Sequence, residues 1–356
     1  MSHPIIRSER IHEMFAMLAV LDDSAILEII KPYEADEILQ HSVLKGFRAL
    51  TAAVPPALDT TISSVSRIGI VGASSVTTAY WPYLILAYIL GIPVKIKMHP
   101  SDVHHISMLS EIILSSSSAT NDLGIPKPCS DWDVTSQPGD VLLTDGYWDD
   151  CDRLLVFGSD VSVALYRHRF SESGRVIGFG HLESVMLVTL ESLQADRRWI
   201  DDLLAFGHIG CLAPRVIVPI DDGSPEQIAN LMLTRLQGLV TPNIGRAVTL
   251  RNEFHGLRVA GIDAWLSPDG MWLISANQSL PMSAISGQLN VVSRSTLATS
   301  GCTIGALSMP TLMKDLSAEV RALQSAAMWK CAWGMAQFPS MLWENGGIPI
   351  LATLSH

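Results

Sequence analysis

Apolar residues recur at three- and four-residue intervals through Ile11, Met14, Phe15, Leu18 and Leu21, and this spacing predicts helix from residue 9 to about 53, where Val54-Pro55-Pro56 breaks it. From Arg67 the pattern changes. Ile68–Val71 reads as a short buried strand, 80–90 as a helix and Val94–Met98 as a second strand, an alternation that marks an α/β unit with a parallel sheet. Further strands are expected at 154–157, 176–177, 185–190 and Val216–Pro219, with a helix over about 225–239. The stretch 115–138, rich in Ser, Pro, Asn and Asp, reads as a loop or a segment without regular period. No internal repeat is present.

Composition narrows the class. The 356 residues suffice for roughly two domains. With 48% hydrophobic and 17% charged residues, the chain is globular rather than disordered over most of its length. A formal net charge of −11 argues against a nucleic-acid partner or an anionic membrane surface, both of which need clustered Lys and Arg. The charge-free stretch 68–94 is divided by Gly69, Gly72, Pro82, Gly91 and Pro93, so it reads as protein interior and not as a membrane span. Residues 1–10 lack the apolar core of a signal peptide. The five cysteines, at 129, 151, 211, 302 and 331, have no paired spacing, so neither a disulfide framework nor a metal site is indicated. These features lead to the expectation of a reducing, cytoplasmic setting.

The densest chemical signal is Phe206-Gly207-His208-Ile209-Gly210-Cys211-Leu212-Ala213-Pro214-Arg215. Its glycines permit a tight turn, and main-chain N–H groups around Cys211 can hold an oxyanion while the sulfur attacks a carbonyl. A buried core cysteine is the alternative reading. Three glycine-containing strand ends precede it: Ile70-Val71-Gly72-Ala73-Ser74-Ser75, Phe157-Gly158-Ser159-Asp160 and Ile177-Gly178-Phe179-Gly180-His181. Such turns suit close approach of a dinucleotide, although each alone is also ordinary topology.

In order, these segments resemble the aldehyde dehydrogenase superfamily, and more closely its acyl-CoA reductase branch, the LuxC-type fatty acyl reductases. The first turn with Trp81, the Leu-rich helix and Gly91 is similar to that family's G-N-x-P followed by W-x-L-L-L-x-L-x-x-G. Leu155 to Asp160 resembles its G-G/S-D/E turn, Arg175 to His181 its R-x-I-x-F/Y-G-H segment, and Gly210 to Pro214 its G-C-L-S-P nucleophile motif. Gly334-Met335-Ala336-Gln337, Trp343 and Gly346-Gly347 resemble the closing segment. The resemblance runs from about residue 67 onward and leaves the N-terminal helices and 115–138 uncovered.

The resemblance implies an α/β, aldehyde-dehydrogenase-like fold with two Rossmann-like lobes and parallel sheets. The expected parts are an N-terminal helical segment over 1–60, a cofactor-binding lobe over 61–207, a catalytic lobe over 208–328 and a C-terminal return segment over 329–356. It further implies reduction of an acyl thioester, on CoA or a carrier protein, to an aldehyde. Cys211 would be the nucleophile and NADPH or NADH the hydride donor. His181 would assist proton transfer, and Ser74 or Ser75, where the family has an asparagine, would help hold the oxyanion. Lys97, Gly158, Ser159, Gly178 and Gly180 would contact the cofactor, while Arg167, Arg169 and Arg175 are candidates for phosphate contacts. The third turn carries Ile177 and Gly178 where classical aldehyde dehydrogenases have a glutamate base, which favours thioester chemistry.

Alternatives stay open: an acyltransferase that uses the same cysteine without hydride transfer, or a noncatalytic partner subunit. Cys302, in Ser300-Gly301-Cys302-Thr303, is the rival nucleophile, because 67–78 also resembles the first turn of semialdehyde dehydrogenases whose cysteine comes later. A homo-oligomer and a complex with a partner enzyme are both compatible with the sequence.

Overall fold

The computed structural model describes residues 8–52, 65–72, 76, 78–116, 132–137, 146–171, 174–277, 285–300, 302–311, 317–341, 343–345, 348–350 and 354. The chain divides into two units, 1–181 with 338–356, and 182–337.

In the first unit, three helices, α1 (Ser8–Ala19), α2 (Asp23–Ile30) and α3 (Glu37–Thr51), come before the sheet. Asp36 starts α3 by accepting hydrogen bonds from the N–H groups of Ile38 and Leu39, which otherwise lack helical partners. There follow β1 (Ile68–Val71), α4 (Trp81–Leu90), β2 (Val94–Met98), α5 (His104–Ser116), β3 (Trp132–Ser136), β4 (Arg153–Phe157), α6 (Asp160–Arg169) and β5 (Val176–Phe179). The five strands are parallel in the order β3-β2-β1-β4-β5. Helix α4 carries no charge and is buried from Trp81 to Ile89. Burying each large side chain of this kind contributes about 1.5–3 kcal/mol, so the charge-free stretch is a core element. Among the described residues no helix is long and apolar enough to cross a membrane.

The second unit runs β6 (Glu183–Val188), α7 (Leu190–Ala195), α8 (Trp199–Leu204), β7 (Val216–Pro219), α9 (Pro225–Leu236), α10 (Ile244–Val259), β8 (Asp263–Leu266), β9 (Leu273–Ala276), β10 (Gln288–Val291), α11 (Arg294–Thr299), β11 (Ile304–Met309), α12 (Ala318–Ala326) and β12 (Trp329–Ala332). Its seven strands lie in the order β12-β11-β6-β7-β10-β9-β8 and are parallel except for β8, which is antiparallel to β9. Met186, Ile217, Met232, Trp272, Ile274 and Trp333 belong to the core on one side of it.

Three expectations from sequence are corrected. The 115–138 stretch contains β3, which pairs with β2 from Val94↔Trp132 to Met98↔Ser136. The units divide at 181/182 and not near Gly207, because β6 pairs with β7 and β11 and belongs to the second sheet. The first part of the expected return segment is likewise β12 of that sheet, so Cys331 sits on a strand paired with β11.

Candidate active site

Cys211 lies on the loop that feeds β7. After α8 the chain makes a tight turn, Ala205–His208, in which Phe206, Gly207 and His208 have φ of 49°, 65° and 62°. Glycine adopts this left-handed region freely, whereas a residue with a Cβ pays about 1 kcal/mol or more there. Long-range bonds hold the turn in place. His208 is wholly buried. Its Nδ1 accepts the Gly287 N–H at 3.0 Å, which fixes the ring proton on Nε2, and that proton goes to the Pro214 carbonyl at 2.9 Å. The two ends of the cysteine loop are thereby tied together. Ser286 Oγ donates to the Gly207 carbonyl at 2.6 Å, and Arg215 reaches the His208 carbonyl at 3.4 Å. Burial, with Arg215 and Arg246 nearby, pushes His208 down to about 3, so it is a neutral structural group near pH 7.

Other bonds position the cysteine backbone. Ser184, at the start of β6, donates through Oγ to the Cys211 carbonyl at 2.9 Å and accepts the Ala306 N–H at 3.1 Å. Further back, the Gln337 amide donates to the Asp202 and Ala205 carbonyls, each at 2.8 Å. The buried Asp202 carboxylate in turn accepts from Ser308 Oγ at 2.5 Å and the Ala336 N–H at 2.7 Å. The segment 334–337 thus braces the end of α8, just ahead of the left-handed turn.

Cys211 itself is exposed. The protein around its sulfur raises the thiol above its ordinary value, while the N–H groups of Cys211 and Leu212 and the cationic Arg215 pull it down. Those two N–H groups favour a thiolate at Cys211. The other described cysteines are less suited. Cys151 and Cys331 are buried; burial pushes Cys151 up to about 12 and also raises Cys331. The rival Cys302 is half-buried and accepts a hydrogen bond from Ser300 Oγ at 3.1 Å. Cys129 lies outside the described residues.

The glycine turns of the first unit gather at one edge. In register, Val71 pairs with Lys97 and with Val156, and Val156 pairs with Gly178, so Lys97, Gly158, Ser159, Gly178 and Gly180 lie at the carboxyl ends of adjoining parallel strands. Open α/β sheets bind ligands at that edge. Lys97 is buried there. Ser159 caps α6, its Oγ accepting the Ser162 N–H at 3.2 Å. A Cβ at Gly178 would run into Val163, so the packing of α6 demands that glycine, whereas one at Gly180 would meet only the carboxylate end of the Asp160 side chain. At Gly158 a Cβ would come no nearer than 3.4 Å to Ser162, which leaves the turn open. His181 is exposed, and its N–H donates to Asp160 at 2.9 Å. Ser74 and Ser75 lie outside the described residues.

Arg169 and Arg175 do not reach this edge; they line a hollow at the amino-terminal ends of β4 and β5. Sequence reasoning assigned no role to His208 and Arg215, although both stand in the ten residues around Cys211, nor to Ser184 and Asp202. Gln337 sat in the closing segment that resembles the family, but its reach to residues 202 and 205 is a tertiary fact.

No protein-family model matches the sequence, and no match is found among curated proteins. Solved structures do match. A lactaldehyde dehydrogenase aligns with a TM-score of 0.64 at 11% identity, covering 96% of this chain and 82% of that one. An aldehyde dehydrogenase from Mycobacterium tuberculosis, complexed with NAD+, aligns at 0.62 and 12% identity over 92% of this chain and 78% of its own. An aldehyde dehydrogenase C from Pseudomonas syringae, a cysteine-to-alanine mutant complexed with NAD+ and octanal, aligns at 0.60 and 12% identity over 93% and 77%. The chain therefore has the aldehyde dehydrogenase fold, with its two Rossmann-like lobes built on parallel sheets.

Proposed function

We propose that the chain is a nicotinamide-dependent oxidoreductase that carries an acyl group on Cys211 and reduces an acyl thioester to an aldehyde. The observation that carries this reading is an exposed cysteine on a loop whose backbone is held from both ends, with two N–H groups turned to its sulfur. The Cys211 thiolate attacks the thioester carbonyl, the carbonyl electron pair moves to oxygen, and the Cys211 and Leu212 N–H groups hold that oxyanion. When the carbonyl re-forms, the carrier thiolate leaves and takes a proton, which His181 is suited to supply; the acyl group stays on sulfur. Ser74 or Ser75 would add a further donor to the oxyanion.

NAD+ is bound in two of the similar structures, and the carboxyl edge of the first sheet is where a dinucleotide would fit here. The open turn at Gly158 and Ser159, backed by the start of α6, suits a pyrophosphate, and Lys97 suits the ribose end. A reduced nicotinamide, as NADPH or NADH, would supply hydride to the acyl carbon, and release of the Cys211 thiolate would leave an aldehyde. The acyl carrier is CoA or a carrier protein, the finer resemblance is to LuxC-type acyl-CoA reductases, and the setting is cytoplasmic.

One observation favours a second reading. Because packing alone accounts for Gly178, the same thioester could instead pass to an amine or alcohol in an acyltransferase. Intact-mass measurement after incubation with an acyl-CoA tests the common step: wild type should gain one acyl group, Cys211→Ala none, and Cys302→Ala should still gain it. Acylation that survives Cys211→Ala overturns the assignment. Adding NADPH or NADH should then discharge the acyl-enzyme with stoichiometric aldehyde; discharge only by an amine or alcohol selects the acyltransferase.

A further inference from the structure

We infer that Arg246, on α10, is a positioning residue for Cys211: its guanidinium fixes the two backbone segments that hold the entrance of the cysteine loop. The inference rests on the reading of Cys211 as the reactive sulfur, and it gives Arg246 no contact with substrate.

The guanidinium sits in the fork between the residues that lead into β9 and β10. Its Nε donates to the Met271 carbonyl at 3.1 Å. A Cβ on Gly287, whose φ is 85°, would run into Nε and Nη2, so the guanidinium lies flush against the backbone there. The Leu273 N–H donates to the Gly287 carbonyl at 2.9 Å and ties the two prongs together. From this fork Ser286 Oγ reaches the Gly207 carbonyl, and the Gly287 N–H reaches His208 Nδ1. A second route runs through the rings. Arg246 Cζ is 4.9 Å from the centre of the Trp272 ring, which is 5.4 Å from the centre of the His208 ring. Trp272 is itself held by its N–H bond to Ser267 Oγ at 2.9 Å.

Filling space does not account for an arginine in the fork. Burial pushes Arg246 down to about 10, which leaves it cationic near neutral pH, and its Nη2 is buried without a hydrogen-bond partner among the described residues. Asp269, whose charge favours the cation, directs its oxygens to Ser267 Oγ and to the N–H groups of Gly238 and Met271. An apolar side chain of similar length would occupy the fork without these costs. The guanidinium adds a plane that matches Gly287 and Trp272, an N–H for Met271, and a charge. That charge, together with Arg215, adds to burial in keeping His208 neutral. A neutral ring keeps Nδ1 as the acceptor of the Gly287 N–H, whereas a protonated one would have donors at both nitrogens.

Two reactions of the full chain read the position of the sulfur: alkylation of Cys211 by iodoacetamide across pH, and single-turnover acylation by octanoyl-CoA, both followed by intact mass. Arg246→Met should move the alkylation profile to higher pH, with a rate at fixed pH about threefold or more lower, because the loop no longer holds its N–H groups to the thiolate. Its limiting acylation rate should fall about tenfold or more, while the half-saturating concentration of octanoyl-CoA stays the same. Arg246→Lys, which keeps the charge and a donor but loses the plane, should lie between Arg246→Met and wild type. Leu323→Ala, in a separate core cluster, lowers stability without touching the fork and should keep the wild-type profile. Wild-type values in Arg246→Met or Arg246→Lys, or an equal loss in Leu323→Ala, overturn the inference, and the Lys variant decides if Arg246→Met does not fold. Alkylation needs no thioester, so a wild type that fails to acylate while the alkylation differences stand counts against the acyl-transfer reading and supports the placement by Arg246.

Discussion

Lowering the pH should loosen the second unit through one residue. His208 is wholly buried with a value of about 3, against 6.5 for an ordinary histidine. Its folded value is depressed, so between those limits the unfolded chain binds more protons and stability falls as the pH falls. The contribution is intact above about 6.5 and is lost progressively toward about 3. Going from about pH 7 to about pH 4.5 spans some two units of this window, which corresponds to about 2.5 kcal/mol. His208→Gln removes the titration and leaves part of the hydrogen bonding, at a cost near neutral pH of about 1–3 kcal/mol for the bond to Pro214 or Gly287 that it fails to match. Urea unfolding of both proteins at the two pH values, followed by a probe in the second unit, gives the comparison. Wild type should lose about 2.5 kcal/mol more than His208→Gln on acidification. An equal loss in both proteins would falsify the account of a buried neutral His208.

Three further outcomes are expected. Iodoacetamide alkylation of Cys211 should keep accelerating beyond pH 9.0, the ordinary thiol value, and Arg215→Gln should slow it at fixed pH by removing a cation that lowers the thiol; a plateau reached well below that value would contradict the raised thiol. Gln337→Ala should lower stability by about 1–3 kcal/mol, read in urea, because the amide bonds to Asp202 and Ala205 are lost; no change would mean that the brace is not needed. Gly178→Ala should destabilise by about 1–3 kcal/mol through its clash with Val163, whereas Gly158→Ala should stay near wild type in thermal unfolding; similar Tm losses for both would erase the distinction between a packed and an open turn.

Strands β1 and β7 were legible to the residue because each is a short apolar run bounded by glycine, proline or charge, and β2 because its Val94, Ile96 and Met98 alternate with lysines at the period of a strand. Strand β3 was not, since Trp132-Asp133-Val134-Thr135-Ser136 is mostly polar and lies at the edge of its sheet, where its one neighbour, β2, decides its conformation. The alternation around Cys331 fits helix or strand, and pairing with β11 resolves it. At the site, Cys211 was marked by its flanking glycines. His208 was not, because its role depends on Gly287, which is remote in sequence. Gly178 was legible as a glycine, but the reason for it, contact with Val163 of α6, is visible only in three dimensions.

The cysteine loop is closed by the His208 ring, the Pro214 carbonyl, the Ser184 hydroxyl and main-chain groups, and the sulfur of Cys211 takes no part in that closure. Scaffold and warhead are therefore separate parts. Serine, selenocysteine or a noncanonical nucleophile placed at position 211 would inherit the same backbone and the same pair of N–H donors, which makes this position a natural socket for exchanging the reactive atom while the rest of the molecule is kept as it is.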